Sequence, residues 1–199
     1  MADKRVQEMM QLMASKIRAI SKAISDEDVE KFLFELLQAK RIYVIGAGRS
    51  GLVAKAFAMR LMHLGLAAFV VGETITPALN RDDVMVVFSG SGKTKTVVDI
   101  AETAKAIGAH VCLITSNANS QIGKIADCMV IIEHHRDEVE DDAVEFEIRQ
   151  MLGEHKSFAP LGTVFETASI VFADAIISRL MEITKTDENA LKIRHTNIE

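Results

Sequence analysis

A run of four apolar, mostly β-branched residues that breaks into closely spaced glycines leaves a chain few ways to fold. Ile42-Tyr-Val-Ile-Gly-Ala-Gly-Arg-Ser-Gly51 is such a run. Its apolar half reads as a buried strand and its glycines as a tight turn. Leu52 to Leu64 then carries helical periodicity, so strand, turn and helix follow without a gap. A strand that feeds straight into a helix returns the chain across a sheet as a parallel neighbour. The turn is also an anion site in outline. Glycines let the backbone approach a ligand closely, and the unpaired N–H groups that open the helix sit at its positive end.

The same alternation continues. Strands are predicted over 67 to 71, 84 to 88, 110 to 115 and 127 to 132, with helices near 94 to 107 and 120 to 125. Strands and helices at this spacing predict an α/β fold: three layers, doubly wound around a five-stranded parallel sheet covered on both faces. Ligands in such sheets bind beyond the carboxyl ends of the strands, where the strand order reverses. Two amphipathic helices precede the first strand, one over residues 5 to 24 and one that Asp26 can cap, running to about Gln38. They are expected to pack on the sheet or on a partner subunit. After the last strand, residues 133 to 147 are rich in acids and read as a solvated loop rather than a metal cluster around His134 and His135. Order returns at 159 to 166, an apolar helix runs to about Thr184, and a short helix over 187 to 191 leads into Lys192 to Asn197. A single domain is expected over 1–199: helices over 1–39, an α/β core over 40–185, and a C-terminal helix and tail over 186–199.

A net charge of −5 argues against a general nucleic-acid binder, because affinity for phosphate backbones comes from clustered Lys and Arg. The only two cysteines, Cys112 and Cys128, lie in apolar strand-like runs and read as buried structural thiols. The N-terminus lacks an apolar signal core, and no apolar run approaches the roughly 20 residues of a membrane span, so a cytoplasmic protein is expected.

Gly46, Gly48 and Gly51 satisfy the dinucleotide pattern G-x-G-x-x-G, and Glu73 falls where a ribose-binding acid would sit. Arg49 and Ser50, however, put a charge and a hydroxyl inside the turn, which suits a compact phosphorylated substrate. A second loop, Ser89-Gly90-Ser91-Gly92-Lys93-Thr94, gathers three hydroxyls and two glycines at another helix start, giving several neutral donors for one phosphate. It is not a P-loop, since the first glycine of that motif would fall on Val87. A Ser/Gly turn that merely caps a helix is the plainer alternative.

Taken together, these loops, Phe57-Ala-Met-Arg-Leu-Met-His-Leu-Gly65, Val71-Gly-Glu-Thr-Ile-Thr-Pro77, Pro160-Leu-Gly-Thr-Val-Phe-Glu166 and Arg194-His-Thr-Asn197 resemble the sugar isomerase (SIS) domain family. The likeness is greatest to its 6-phospho-3-hexuloisomerase branch. It implies a flavodoxin-like sheet, a homotetramer with sites near subunit interfaces, no metal or organic cofactor, and interconversion of 3-hexulose 6-phosphate with fructose 6-phosphate through an enediol. It also implies that Ser89, Ser91 and Thr94 of the hydroxyl loop hold the phosphate of a small phosphorylated sugar, with Ser50 and the glycines Gly48, Gly90 and Gly92 of the two turns also binding the substrate.

Moving a carbonyl along a sugar needs a base at carbon, a proton carrier between oxygens and a cation near the enediolate. By resemblance the base is Glu166, though an acid opening a helix is also favoured for its charge alone. His195 matches the family's C-terminal histidine, whose imidazole can shuttle a proton near neutral pH. Arg49 is the candidate for enediolate charge and Glu73 for the sugar hydroxyls, while Arg60 and His63 are expected to pack or to bridge subunits. The tail follows the last long helix so late that it has little of its own subunit to rest on, so His195 is expected to reach a neighbour's site. The rival readings are another phosphosugar isomerase of the arabinose-5-phosphate type, a non-catalytic sugar-phosphate sensor, and an NAD-dependent oxidoreductase.

Overall fold

The computed structural model describes residues 5–132 and 163–198. The acidic stretch 133–147 and the turn at Pro160 lie outside the described residues. In chain order the elements are α1 (Arg5–Ala23), α2 (Asp26–Gln38), β1 (Ile42–Gly46), α3 (Arg49–Leu64), β2 (Ala68–Val70), β3 (Val84–Phe88), α4 (Lys95–Ile107), β4 (His110–Thr115), β5 (Cys128–Ile131), α5 (Thr163–Thr184) and α6 (Glu188–Arg194). The five strands form one sheet in the order β2-β1-β3-β4-β5, and every pairing is parallel. The doubly wound sheet expected from the alternating pattern is therefore present.

Period-two alternation divides the core. Val84, Val86 and Phe88 of β3 face one side, where Phe32 and Leu36 of α2, Phe57 and Leu61 of α3, and Phe172 and Leu180 of α5 cover the sheet. Met85 and Val87 face the other, against Val97, Val98, Ala101 and Ala104 of α4. With helices on both faces the central strands have no polar side to show, which is why β3 is an unbroken apolar run. Phe32 stacks on Phe57 at 6.3 Å and lies 5.9 Å from Phe172, tying α2, α3 and α5 together above the sheet. No helix among the described residues is long and apolar enough to cross a membrane.

Three local expectations are corrected. Ser25, not Asp26, caps α2: it is extended and accepts the Asp28 N–H at 3.2 Å, while Asp26 is already helical and lends its charge to the first turn. The segment 120–125 is a series of turns. The Ser120 hydroxyl accepts the Gly123 N–H at 3.0 Å, a local bond that competes with the helical ladder. The chain's end also has more of its own subunit to rest on than its position suggests, because α6 lies against α3 with Leu191 on the core cluster. Cys112 and Cys128 are free and buried, in register across β4 and β5, as structural thiols should be.

Candidate active site

Strand order places the two glycine-rich turns side by side. From β1 the chain crosses to β2 on one flank and later to β3 on the other, so the reversal lies between β1 and β3, and both turns leave their carboxyl ends there. At the first, Gly48 is the N-cap residue of α3, with Arg49 and Ser50 its first two residues. The turn is too tight for side chains, since a Cβ on Gly46 would lie 2.7 Å from the Ser50 backbone and one on Gly51 would lie 2.8 Å from the Gly46 carbonyl.

The second turn is braced from within and below. The Ser89 hydroxyl accepts the Gly92 N–H at 3.2 Å and the Ser91 hydroxyl accepts the Lys93 N–H at 3.3 Å. Both use lone pairs for this, so their O–H protons remain free to donate to an anion. Thr94 stands at the N-cap of α4 and makes no capping bond with its side chain. Gly92 adopts φ +59, and a Cβ there would lie 2.1 Å from the Ser120 hydroxyl, so the loop keeps its shape only with glycine.

Glu166, in the first turn of α5, joins the two. Its Oε1 accepts from the Ser50 hydroxyl at 3.4 Å, and its Oε2 lies 3.5 Å from Arg49 Nε. That second contact is an ion pair but too long for a hydrogen bond, and Oε2 is buried with no hydrogen-bond partner among the described residues. The carboxylate is 14% exposed against 58% for the Arg49 side chain. It is thus shielded from water, faced by one cation and held by long contacts, a fitting state for a base that must accept a proton. The neighbouring Phe165 ring lies 3.1 Å from the position of a Cβ on Gly90, so the hydroxyl loop touches the start of α5.

Two further residues singled out in the sequence have partners of their own. Glu73 is exposed and pairs with Lys55 Nζ of α3 at 2.7 Å. His195 follows α6 at the far end of α3, its ring 5.0 Å from that of His63. From Arg49 to His63 the helix rises about 21 Å, so His195 and Glu166 do not meet within one chain. His63 itself is buried, and burial first, then the neighbouring charges of His195 and Arg60, hold it below the ordinary imidazole range.

Sequence reasoning missed the support supplied by the end of β4. Thr115 Oγ1 and Ser116 Oγ donate to the Gly90 carbonyl at 3.1 and 2.8 Å, and Asn117 Nδ2 donates to the Ser91 carbonyl at 3.3 Å. The signal was there in Thr115-Ser-Asn117, a polar run leaving the strand that adjoins β3.

Comparison with known proteins shows what the chain is similar to. The 3-hexulose-6-phosphate isomerase of Bacillus subtilis (strain 168) is 38% identical over 176 residues, covering 88% of this chain and 89% of its own. That of Mycobacterium gastri is 35% identical over 190 residues, covering 96% and 89%. The crystal structure of a hypothetical protein from Methanococcus jannaschii, described as inferring a molecular function of 3-hexulose-6-phosphate isomerase, superposes with a TM-score of 0.81 at 30% identity, covering 96% of this chain and 99% of its own. The family model for the SIS domain matches residues 35–142, the span that holds the whole sheet and both loops at its switch point, and the chain is a member of that family.

Proposed function

We propose that the chain is a phosphosugar isomerase that interconverts 3-hexulose 6-phosphate and fructose 6-phosphate. The observation that carries the reading is the meeting of a shielded carboxylate, Glu166, with Arg49 and Ser50 of the first turn, next to a loop whose hydroxyl protons are unspent. The relatives named 3-hexulose-6-phosphate isomerase support the choice of sugar.

In this reading Ser89, Ser91, Thr94 and the opening N–H groups of α4 hold the phosphate. Glu166 takes the proton from C2 of the 3-ketose. Negative charge gathers on the C3 oxygen, where Arg49 stabilises the enediolate. Return of the proton to C3, with transfer of the hydroxyl proton from O2 to O3, gives the 2-ketose. Both hydrogens stay within the substrate, so the sum is an isomerisation. His195 serves as the carrier between oxygens, and its distance from Glu166 in one chain supports a homo-oligomer, a tetramer in the family's manner, in which a neighbour supplies it. Leu52, Met59 and Met62, a row of exposed apolar side chains along α3, support burial of that helix between subunits.

A coupled assay that follows fructose 6-phosphate formed from 3-hexulose 6-phosphate tests the proposal. Turnover that falls by orders of magnitude in Glu166→Gln is expected. Binding of the sugar without turnover, or faster conversion of arabinose 5-phosphate, overturns it.

A further inference from the structure

At the end of α3 remote from Glu166, a cavity of about 340 Å³ opens between α3, α5 and α6. Arg60 and His63 line it from α3, Asp174 from α5, Glu188 and Lys192 from α6, and His195 from the tail. His63 is only 3% exposed and takes up the innermost place on this wall, so its ring is held by the surrounding side chains rather than free in water. What the ring does touch is His195, at 5.0 Å between centroids with the planes tilted by 32°.

The tail is built to bring the two together. Arg194 Nη1 donates to the His63 carbonyl at 3.3 Å, and its guanidinium lies 3.0 Å from where a Cβ on Gly65 would be. The arginine therefore closes the end of α3, where the last carbonyls favour a cation. His195, next in sequence, is thereby laid beside His63. Its Nδ1 is 3.2 Å from the Thr196 carbonyl, and a carbonyl can only accept. In the neutral ring Nδ1 thus carries the hydrogen and Nε2 is left to receive a proton.

We infer that His63 is a positioning residue for His195: its imidazole, fixed in α3, sets the orientation of the tail imidazole that the isomerisation uses. The inference rests on the assignment of His195 as proton carrier. It gives purpose to the ring contact and to a strap that ends one residue before the group it places. The charged groups facing His63 are those of the cavity wall together with Arg194. Of these, His195 is the one in ring contact.

Steady-state kinetics of His63→Phe, His63→Gln and His195→Ala test the inference. His63→Phe keeps a buried ring and is expected to lower kcat about 10- to 100-fold, the scale of a misplaced reacting group, with KM little changed. His63→Gln keeps a polar tip and recovers much of the loss, whereas a role in packing alone would rank the two variants the other way. Loss in His195→Ala with full activity in His63→Phe overturns the inference alone. Full activity in His195→Ala overturns the assignment of His195, and this inference with it. If His63→Phe does not fold, the imidazole proton spectrum decides. The His63 midpoint rises when the exposed His195 is replaced by Ala if the rings are in contact, and an unmoved midpoint overturns the inference.

Discussion

The glutamate at the start of α5 carries the chemistry only if its proton affinity matters, and Glu166→Gln separates affinity from shape. The substitution is expected to lower kcat by roughly 10² to 10⁴ while KM stays within a few-fold, measured in the coupled assay. Thr94→Val tests the hydroxyl loop. Because Thr94 caps α4 without its side chain, loss of its hydroxyl should raise KM more than it lowers kcat and leave the melting temperature unchanged. A fall in stability alone would return Thr94 to a capping role. His63 gives a pH signature. Held below the ordinary imidazole value, it binds its proton less readily folded than unfolded, so the unfolded chain takes up more protons as the medium acidifies. The stability it protects is complete above about pH 6.5 and is lost as pH falls through the folded value. Urea midpoints at pH 7.5 and 5.5 should therefore differ less in His63→Gln than in the parent protein. The two turns that carry Arg49, Ser50 and the hydroxyl loop were legible in the sequence because each follows a strongly patterned strand, whereas Glu166 was singled out by family resemblance. The contact of Glu73 with Lys55 was not legible, since both residues are exposed and a surface ion pair leaves no trace in periodicity.

The strands were legible to within a residue at each end, and β3 best of all, because burial on both faces writes it as an unbroken apolar run. The turns over 120–125 were not, because the helical spacing of Ile122 and Ile125 competes with the local bond from the Gly123 N–H to the Ser120 hydroxyl, which periodicity does not register. Ser25 and Asp26 are both good caps, and which one takes the part depends on where the chain leaves α1. The junction of α3 and α6 makes the sharpest prediction about elements. Gly65 ends α3 at φ +90 and leaves room for the Arg194 guanidinium, so Gly65→Ala adds backbone strain and removes the seat of the strap together. A loss of about 1 to 2 kcal/mol in stability is expected from denaturant unfolding. Isomerase activity should fall further than that loss explains, since α6 has no fully buried residue and otherwise rests on the core only through partly buried groups such as Leu191.

For the molecule as a whole, the order β2-β1-β3-β4-β5 fixes where a ligand can sit, and alternation of elements predicted that edge before any side chain was placed. The route of the tail could not be read in this way, because short, exposed α6 shows no periodicity strong enough to name its partner surface. Its placement bears on assembly. Deleting residues 193–199 should leave the melting transition in place while removing most isomerase activity. Mixed with Glu166→Gln subunits, and with exchange verified by tagged and untagged protein, the truncated chain should regain activity, because one class of mixed site holds both an intact Glu166 and an intact His195. No recovery despite exchange would refute the shared site. The length of α3 then takes on a meaning beyond packing. With Arg49 and Ser50 at one end and His63 at the other, the helix is a ruler, and inserting one residue would turn one end by about 100° relative to the other. The helix α3 should therefore tolerate many changes of residue but no change of count.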